Sequence, residues 1–213
     1  MLETEIKFEI DDPEAFKEKI LRAGAILRKE RYREENILYD FRTRELTRKA
    51  QALRLRLVGA KAFLTFKGSP QKSRRFKIRE EFETEVKNWS HLRKILKKLG
   101  LIPTFRYAKY RTVFLKGKLK ICLDETPIGN FCELEGDRPE IVRFARSLGI
   151  TNRDFIKLDY IQLFQLAERG EFKPRFAQLG KKEKIKGLYF QNYSSSESLS
   201  EDSNSSSSSS SSS

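Results

Sequence analysis

The sequence holds one histidine, two cysteines, one methionine and one tryptophan in 213 residues. A single imidazole excludes, for this chain alone, a His-based catalytic triad and a His-rich zinc site. That residue, His91, falls on an expected helix beside Trp89 and Leu92, where a surface or capping role suits it. Cys122 and Cys132 lie ten apart, which is not a zinc spacing, and strand parity puts them on opposite faces, which disfavours a disulfide. There is no long apolar run and no signal-peptide core, so the expectation is a soluble cytoplasmic protein without a membrane partner. The glycine patterns of nucleotide binding are missing too. "GSPQKS" at 68–73 has a Gly, a Lys and a Ser but not the P-loop spacing, and no G-x-G-x-x-G occurs.

Charge is what the chain has in excess. Charged residues make up 35%, with 44 Lys+Arg against 30 Asp+Glu and a net charge of +14. Residues 171–213 contribute only +1, so +13 resides on residues 1–170. A basic excess on the folded part points to a polyanionic partner: nucleotide, polyphosphate or nucleic acid.

Three segments are expected: a folded domain over 1–168, a basic extension over 169–193, and a Ser-rich tail over 194–213. The tail cannot bury enough apolar surface to offset its ordering entropy and is expected to be disordered. It reads as a natural tail, a modification target or an artefact of reading frame. Within the domain, Asp12-Pro13 opens a helix that Gly24 ends. Further helices are expected at Ser90–Leu99, after Pro139 to Leu148, and over Asn152–Ala167. Strands are expected at 2–9, 36–41, 51–58, 62–67, 75–86, 105–115, 118–124 and 131–136. No repeat of fixed period occurs. Eight strands with few helices between them predict an α+β, antiparallel domain that can close into a barrel.

The strands share one peculiarity. In "LETEIKFE" (Leu2–Glu9), Glu3, Glu5, Lys7 and Glu9 alternate with Leu2, Thr4, Ile6 and Phe8. Successive side chains on a strand point to opposite faces, so the charges share one face. Arg54 and Arg56 likewise oppose Leu53, Leu55 and Leu57. Lys67 opposes Leu64 and Phe66. Arg79, Glu81 and Glu83 oppose Ile78 and Phe82. Lys109 pairs in parity with Arg111, Lys120 with Asp124, and Glu133 with Glu135. Two arrangements fit: a sheet exposing its charged face to solvent, or a closed sheet whose charged face lines a tunnel beneath an apolar, helix-covered exterior. A solvated face accepts Ser, Thr, Gln and Asn freely, whereas these positions are almost all Arg, Lys, Glu or Asp. That favours the tunnel.

Carboxylates at i and i+2 on one face lie roughly 7 Å apart. They repel one another unless a cation intervenes, and Glu3/Glu5, Glu81/Glu83 and Glu133/Glu135 are three such pairs suited to a hard divalent ion. The interleaved Arg and Lys suit phosphate oxygens. Acids for Mg²⁺ or Mn²⁺ among cations for phosphate are the requirements of phosphoryl or nucleotidyl transfer.

In chain order, "ETEIK" (3–7), "LRLR" (53–56), "LTFKG" (64–68), "REEFE" (79–83), "KYR" (109–111), "LDETPIGNFCELEG" (123–136) and "KLDY" (157–160) resemble the motifs of the CYTH family, the triphosphate tunnel metalloenzymes. The resemblance spans about residues 2–165. It implies an eight-stranded antiparallel barrel whose tunnel binds a triphosphate with Mg²⁺ or Mn²⁺. It further implies that Glu3, Glu5, Glu133 and Glu135 hold metal, and that Lys7, Arg54, Arg56, Lys67, Arg79, Lys109 and Arg111 grip phosphates. Glu81, Glu83 and Asp124 are then the catalytic or assisting carboxylates. Asp159 stands where the family usually has Ser before Tyr160, so Lys157 and Tyr160 stay outside the expected site, and Glu9 has no motif counterpart.

The leading functional expectation is hydrolysis of an inorganic or organic triphosphate. The alternative is a class IV adenylyl cyclase that converts ATP to cyclic AMP and pyrophosphate. A second alternative, a non-catalytic polyphosphate- or RNA-binding module, leaves the paired carboxylates unexplained. A nucleic-acid partner is accordingly not expected, and a homodimer is left open.

Overall fold

The computed structural model describes residues 2–172 and the backbone of 189–190. The expected basic extension beyond Phe172 and the Ser-rich tail otherwise lie outside the described residues. In chain order the elements are β1 (Leu2–Ile10), α1 (Pro13–Arg22), β2 (Ile26–Phe41), α2 (Glu45–Arg48), β3 (Ala52–Val58), β4 (Lys61–Lys67), β5 (Lys77–Glu85), α3 (Trp89–Lys98), β6 (Leu101–Lys116), β7 (Leu119–Thr126), β8 (Gly129–Glu135), α4 (Arg138–Ser147), α5 (Tyr160–Glu168) and the two-residue β9 (Tyr189–Phe190). Eight antiparallel strands run in the order β2-β3-β4-β5-β1-β8-β7-β6, and β6 pairs back onto β2. The sheet therefore closes into a barrel, which removes its edges. β9 adds to β6 beside Arg106 and Tyr107.

The alternation sorts the two faces as expected. On the outside, Ile6, Phe8 and Ile10 of β1 join Ile121, Leu123, Cys132 and Leu134 beneath Phe16 and Ile20 of α1 and Ile141, Phe144 and Ala145 of α4. Phe8, with no exposed surface, meets Phe16 edge-on at 5.9 Å between ring centroids. A second outer cluster packs Leu96 of α3 on Ile37, Tyr39, Leu55 and Ala62. The third cluster differs, because Leu38, Tyr107 and Phe131 belong to the inward-facing set of their strands, and they meet Tyr160, Leu163 and Phe164 of α5. That helix stops one end of the barrel.

Local chemistry sets the helix ends. The Asp12 carboxylate accepts from the backbone N–H of Glu14 and Ala15 ahead of Pro13. Asn88 caps α3 by accepting from the backbone N–H of His91, and the exposed ring of that histidine sits with Nδ1 3.1 Å from the Asn88 amide nitrogen. Gly24 (φ +82) and Gly100 (φ +85) follow α1 and α3 in the left-handed conformation that glycine adopts without cost.

Three expectations need correction. β2 and β6 are each 16 residues long, not the short runs 36–41 and 105–115. Most of Ile26–Glu35 is exposed and charged on its outer side, so the first half of β2 carries no apolar alternation to reveal it. The last helix begins at Tyr160 rather than Asn152. Asp159 and Gln162 form a capping box there, and Ile156 instead bridges to β1 by donating its N–H to the Lys7 carbonyl at 2.7 Å. The short α2 was not expected, and Asp40 pins it by accepting from the backbone N–H of Leu46 and Thr47. Cys122 and Cys132 are both free and buried, as their opposite parity predicts. No helix among the described residues is long and apolar enough to cross a membrane.

Candidate active site

Register brings the charged positions of neighbouring strands side by side within the barrel. Glu3 lies opposite Arg79 and Glu5 opposite Lys77 on β5. On the other side of β1, Glu5 lies opposite Glu135 and Lys7 opposite Glu133. Lys67 faces Glu81, Asn36 faces Arg56, Glu34 faces Lys109, and Arg111 faces Asp124. All fourteen residues expected in the site thus share the inward face.

The lumen divides by sign. An acidic wall, β5–β1–β8, carries Glu81, Glu83, Glu3, Glu5, Glu133 and Glu135 with Lys77, Arg79 and Lys7. A basic wall, β6–β2–β3–β4, carries Lys109, Arg111, Arg54, Arg56 and Lys67 with Glu34 as its carboxylate. β7 joins the two with Lys120 and Asp124. Ion pairs bridge them: Lys67 reaches Glu81 and, at 3.5 Å, Glu3; Arg56 reaches Glu83 at 2.6 Å; Arg111 reaches Glu133. Within the acidic wall, Lys7 neutralises Glu133 at 3.2 Å and Lys77 lies 3.6 Å from Glu5. Lys120 holds Glu135 at 2.7 Å.

Asp124 has no exposed surface and accepts from Lys109 at 2.9 Å, from Arg111 through both carboxylate oxygens, and from the Tyr160 hydroxyl at 2.6 Å. It anchors two of the expected phosphate ligands. Not every cationic donor is satisfied in this way. Among the described residues, the Nε atoms of Arg54, Arg56 and Arg79 are buried without a hydrogen-bond partner, as are Glu34 Oε2 and Asn36 Oδ1. Buried polar atoms are nearly always partnered, so these orphaned donors and acceptors leave the hydrogen bonding of the lumen incomplete.

Protonation follows position. Burial, reinforced by a hydrogen bond with Glu81, pushes the Glu3 carboxyl up to about 9, while Glu81 is lowered to about 2. Burial alone would raise Glu81, but its bond from Glu3 and the Lys67 ammonium outweigh that. At neutral pH the pair therefore shares one proton. Burial and Glu133 oppose the charge of Glu5, yet Lys77, Lys67 and Lys7 hold it below the usual carboxylate range. Glu133 and Glu34 are also held well below that range, because cations facing them outweigh their burial. Burial lowers Lys77 to about 8.

Four participants lie outside the expected set of site residues. Glu34 and Asn36, both fully buried, sit on the half of β2 whose outer side is charged. Lys77 shares the parity of Arg79 but lies outside the quoted motif. Tyr160 closes the quoted KLDY stretch but is kept outside the expected site because Asp159 precedes it, yet its ring faces Lys7 Nζ at 3.7 Å and Lys109 Nζ at 4.4 Å. Extending the alternation of β2 backwards from Leu38 through Asn36 to Glu34 is the one signal that could have found two of them.

For a divalent cation, Glu3, Glu5, Glu133 and Glu135 offer only carboxylate oxygens, the donors that Mg²⁺ and Mn²⁺ prefer. Glu3 keeps its proton beside Glu81, where a cation would relieve the same repulsion. The donor chemistry fits the ion. Among the described residues these carboxylates do not form a ready cluster of three or more ligands, since lysine and arginine side chains hold them apart.

The barrel is closed, antiparallel and lined by interleaved acids and bases. Comparison with known proteins gives its family: a family model for the CYTH domain matches residues 1–148, and the chain belongs to that family. A protein of Methanocaldococcus jannaschii named as a candidate adenylate cyclase is 29% identical over 176 residues, covering 76% of this chain and 98% of its own length. Among solved structures, a candidate adenylate cyclase from Vibrio parahaemolyticus superposes with a TM-score of 0.70 at 20% identity, covering 78% of this chain and 98% of that one. A candidate adenylyl cyclase from Hippeastrum, described as having a dominant triphosphatase activity, gives a TM-score of 0.52 at 20% identity over 81% of this chain and 98% of that one. At these identities the solved structures support the fold.

Proposed function

We propose that the chain hydrolyses a triphosphate in its tunnel with the help of a divalent metal ion. The observation that carries this reading is the set of guanidiniums on Arg54, Arg56 and Arg79, which sit on the inward face among paired carboxylates and whose buried Nε atoms have no hydrogen-bond partner. A chain of phosphates supplies several acceptors at once, which a single carboxylate does not. Glu3, Glu5, Glu133 and Glu135 would hold the metal, whose chemistry is to neutralise charge on phosphate oxygens.

The residues of the chain divide the remaining work. Lys7, Lys67, Arg54, Arg56, Arg79, Lys109 and Arg111 bind the phosphate oxygens and offset the charge that develops as the terminal bridging bond breaks. Glu81 and Glu83 orient a water molecule in line with that bond. The water oxygen joins the terminal phosphorus, the bridging oxygen leaves with the remaining diphosphate, and the water's proton passes to a phosphate oxygen.

A second reading, cyclisation of ATP, draws on the name of the M. jannaschii relative and on a cavity of about 1320 Å³. That cavity adjoins Lys77 and Arg79 and is lined on its apolar side by Leu38, Phe105 and Ile161. It offers room for the organic group of a nucleotide. Incubation with tripolyphosphate or ATP plus Mg²⁺ or Mn²⁺ separates the readings. Orthophosphate is the expected product. Cyclic AMP with pyrophosphate would replace the hydrolase by the cyclase, and no turnover would leave only a binding module.

A further inference from the structure

The family match ends at residue 148, yet the lumen's wall is completed by residues beyond it. The stretch before α5 returns to β1: Ile156 donates to the Lys7 carbonyl, and Lys7 Nζ donates to the Leu158 carbonyl at 3.3 Å. Asp159 then caps α5 and lies 3.8 Å from Lys77, and Tyr160 enters the lumen at 5% exposure. Its ring is wedged between Phe131 and Tyr107, with centroids at 5.6 and 5.9 Å.

We infer that Tyr160 is a positioning residue that sets the phosphate grip through both ends of its side chain. The ring face supports the ammonium groups of Lys7 and Lys109, and the hydroxyl engages the carboxylate that holds Lys109 and Arg111. This rests on the tunnel binding a polyphosphate. The geometry explains why one aromatic residue belongs here. An aliphatic side chain could fill the same apolar space but would offer two buried ammoniums no π face, and a desolvated cation gains most from one. The hydroxyl satisfies one more lone pair of Asp124, so that this carboxylate competes less strongly with phosphate for Lys109 and Arg111.

Calorimetric titration of the full chain with tripolyphosphate tests this, using Tyr160→Phe and Tyr160→Leu alongside the wild type. Tyr160→Phe keeps the ring and loses the hydroxyl, so Kd should rise by about threefold to tenfold. Tyr160→Leu loses both, and Kd should rise by about thirtyfold or more. In each case kcat should change less than KM; Tyr160→Phe should melt within a few degrees of the wild type, whereas Tyr160→Leu should melt lower because it leaves a gap in a packed aromatic cluster. A purely structural residue would lower melting temperature and leave the affinity of the folded fraction unchanged. If Tyr160→Leu fails to fold, Tyr160→Phe decides alone. Wild-type Kd in the folded variants would overturn the inference and leave the function standing. Failure of the wild type to bind tripolyphosphate would overturn both.

Discussion

The acidic and basic walls of the lumen are built from the same strand pattern, yet they solve their electrostatics differently. On the acidic wall, like charges meet directly across strands, as Glu5 meets Glu135, and a proton retained on Glu3 relieves part of the repulsion. On the basic wall, the cations reach over to the acidic side for partners, and Arg54 and Arg56 still keep an unmatched donor. The acidic wall has oxygen ligands to give a metal, and the basic wall has donors to give an anion. Buried ion pairs roughly break even against apolar residues, whereas losing one partner is costly. A lumen this rich in them is therefore better explained by a ligand than by stability. The pairs neutralise the walls, and on the proposed function they would be exchanged, carboxylate for phosphate on one side and ammonium for metal on the other.

The largest difference should appear when each wall is cut. Arg56→Ala removes a guanidinium of the basic wall, and kcat/KM for the triphosphate should fall by about 10²–10³-fold with the circular-dichroism spectrum unchanged. Retention of full activity would remove Arg56 from the grip. Glu5→Gln should cost on the order of tenfold to a hundredfold at low metal, and raising Mn²⁺ should restore part of it. Added metal should do nothing for Arg56→Ala. Equal rescue of both variants would erase the distinction between the walls.

The smallest expected effect is on stability against pH. Folding raises the Glu3 carboxyl from 4.5 to about 9, so folding takes up a proton between those values. The contribution of Glu3 is then fully present below about pH 4.5 and is lost as pH rises through about 9. Between pH 6 and 9 the melting temperature of the metal-free wild type should fall more steeply than that of Glu3→Gln. Parallel slopes would mean that Glu3 is ionised in the folded chain.

Much of this division was legible before any coordinates. β1, β3 and β8 alternate cleanly and β5 does so but for Glu80, so the inward set Glu3, Glu5, Lys7, Arg54, Arg56, Arg79, Glu81, Glu133 and Glu135 followed from parity, and closure was the arrangement that could bury it. Glu34 and Asn36 stayed hidden because the outer side of their stretch faces solvent as charge, which removes the apolar half of the alternation. Tyr160 was visible in the KLDY stretch but set aside because of the Asp159 that precedes it. It sits among apolar neighbours on a helix, and only the tertiary position of α5 at the barrel's end turns its ring toward two lysines. The exchange of partners across the lumen also lies beyond sequence pattern, since parity tells which face a charge occupies and not which opposite charge it meets.

Titrating tripolyphosphate into the wild type and Glu5→Gln, with and without Mg²⁺, tests the division of labour most directly. If the acidic wall holds a metal that aids the basic wall, Mg²⁺ should tighten binding to the wild type by at least about tenfold and do so far less in Glu5→Gln. Equal affinity in all four titrations would contradict the account.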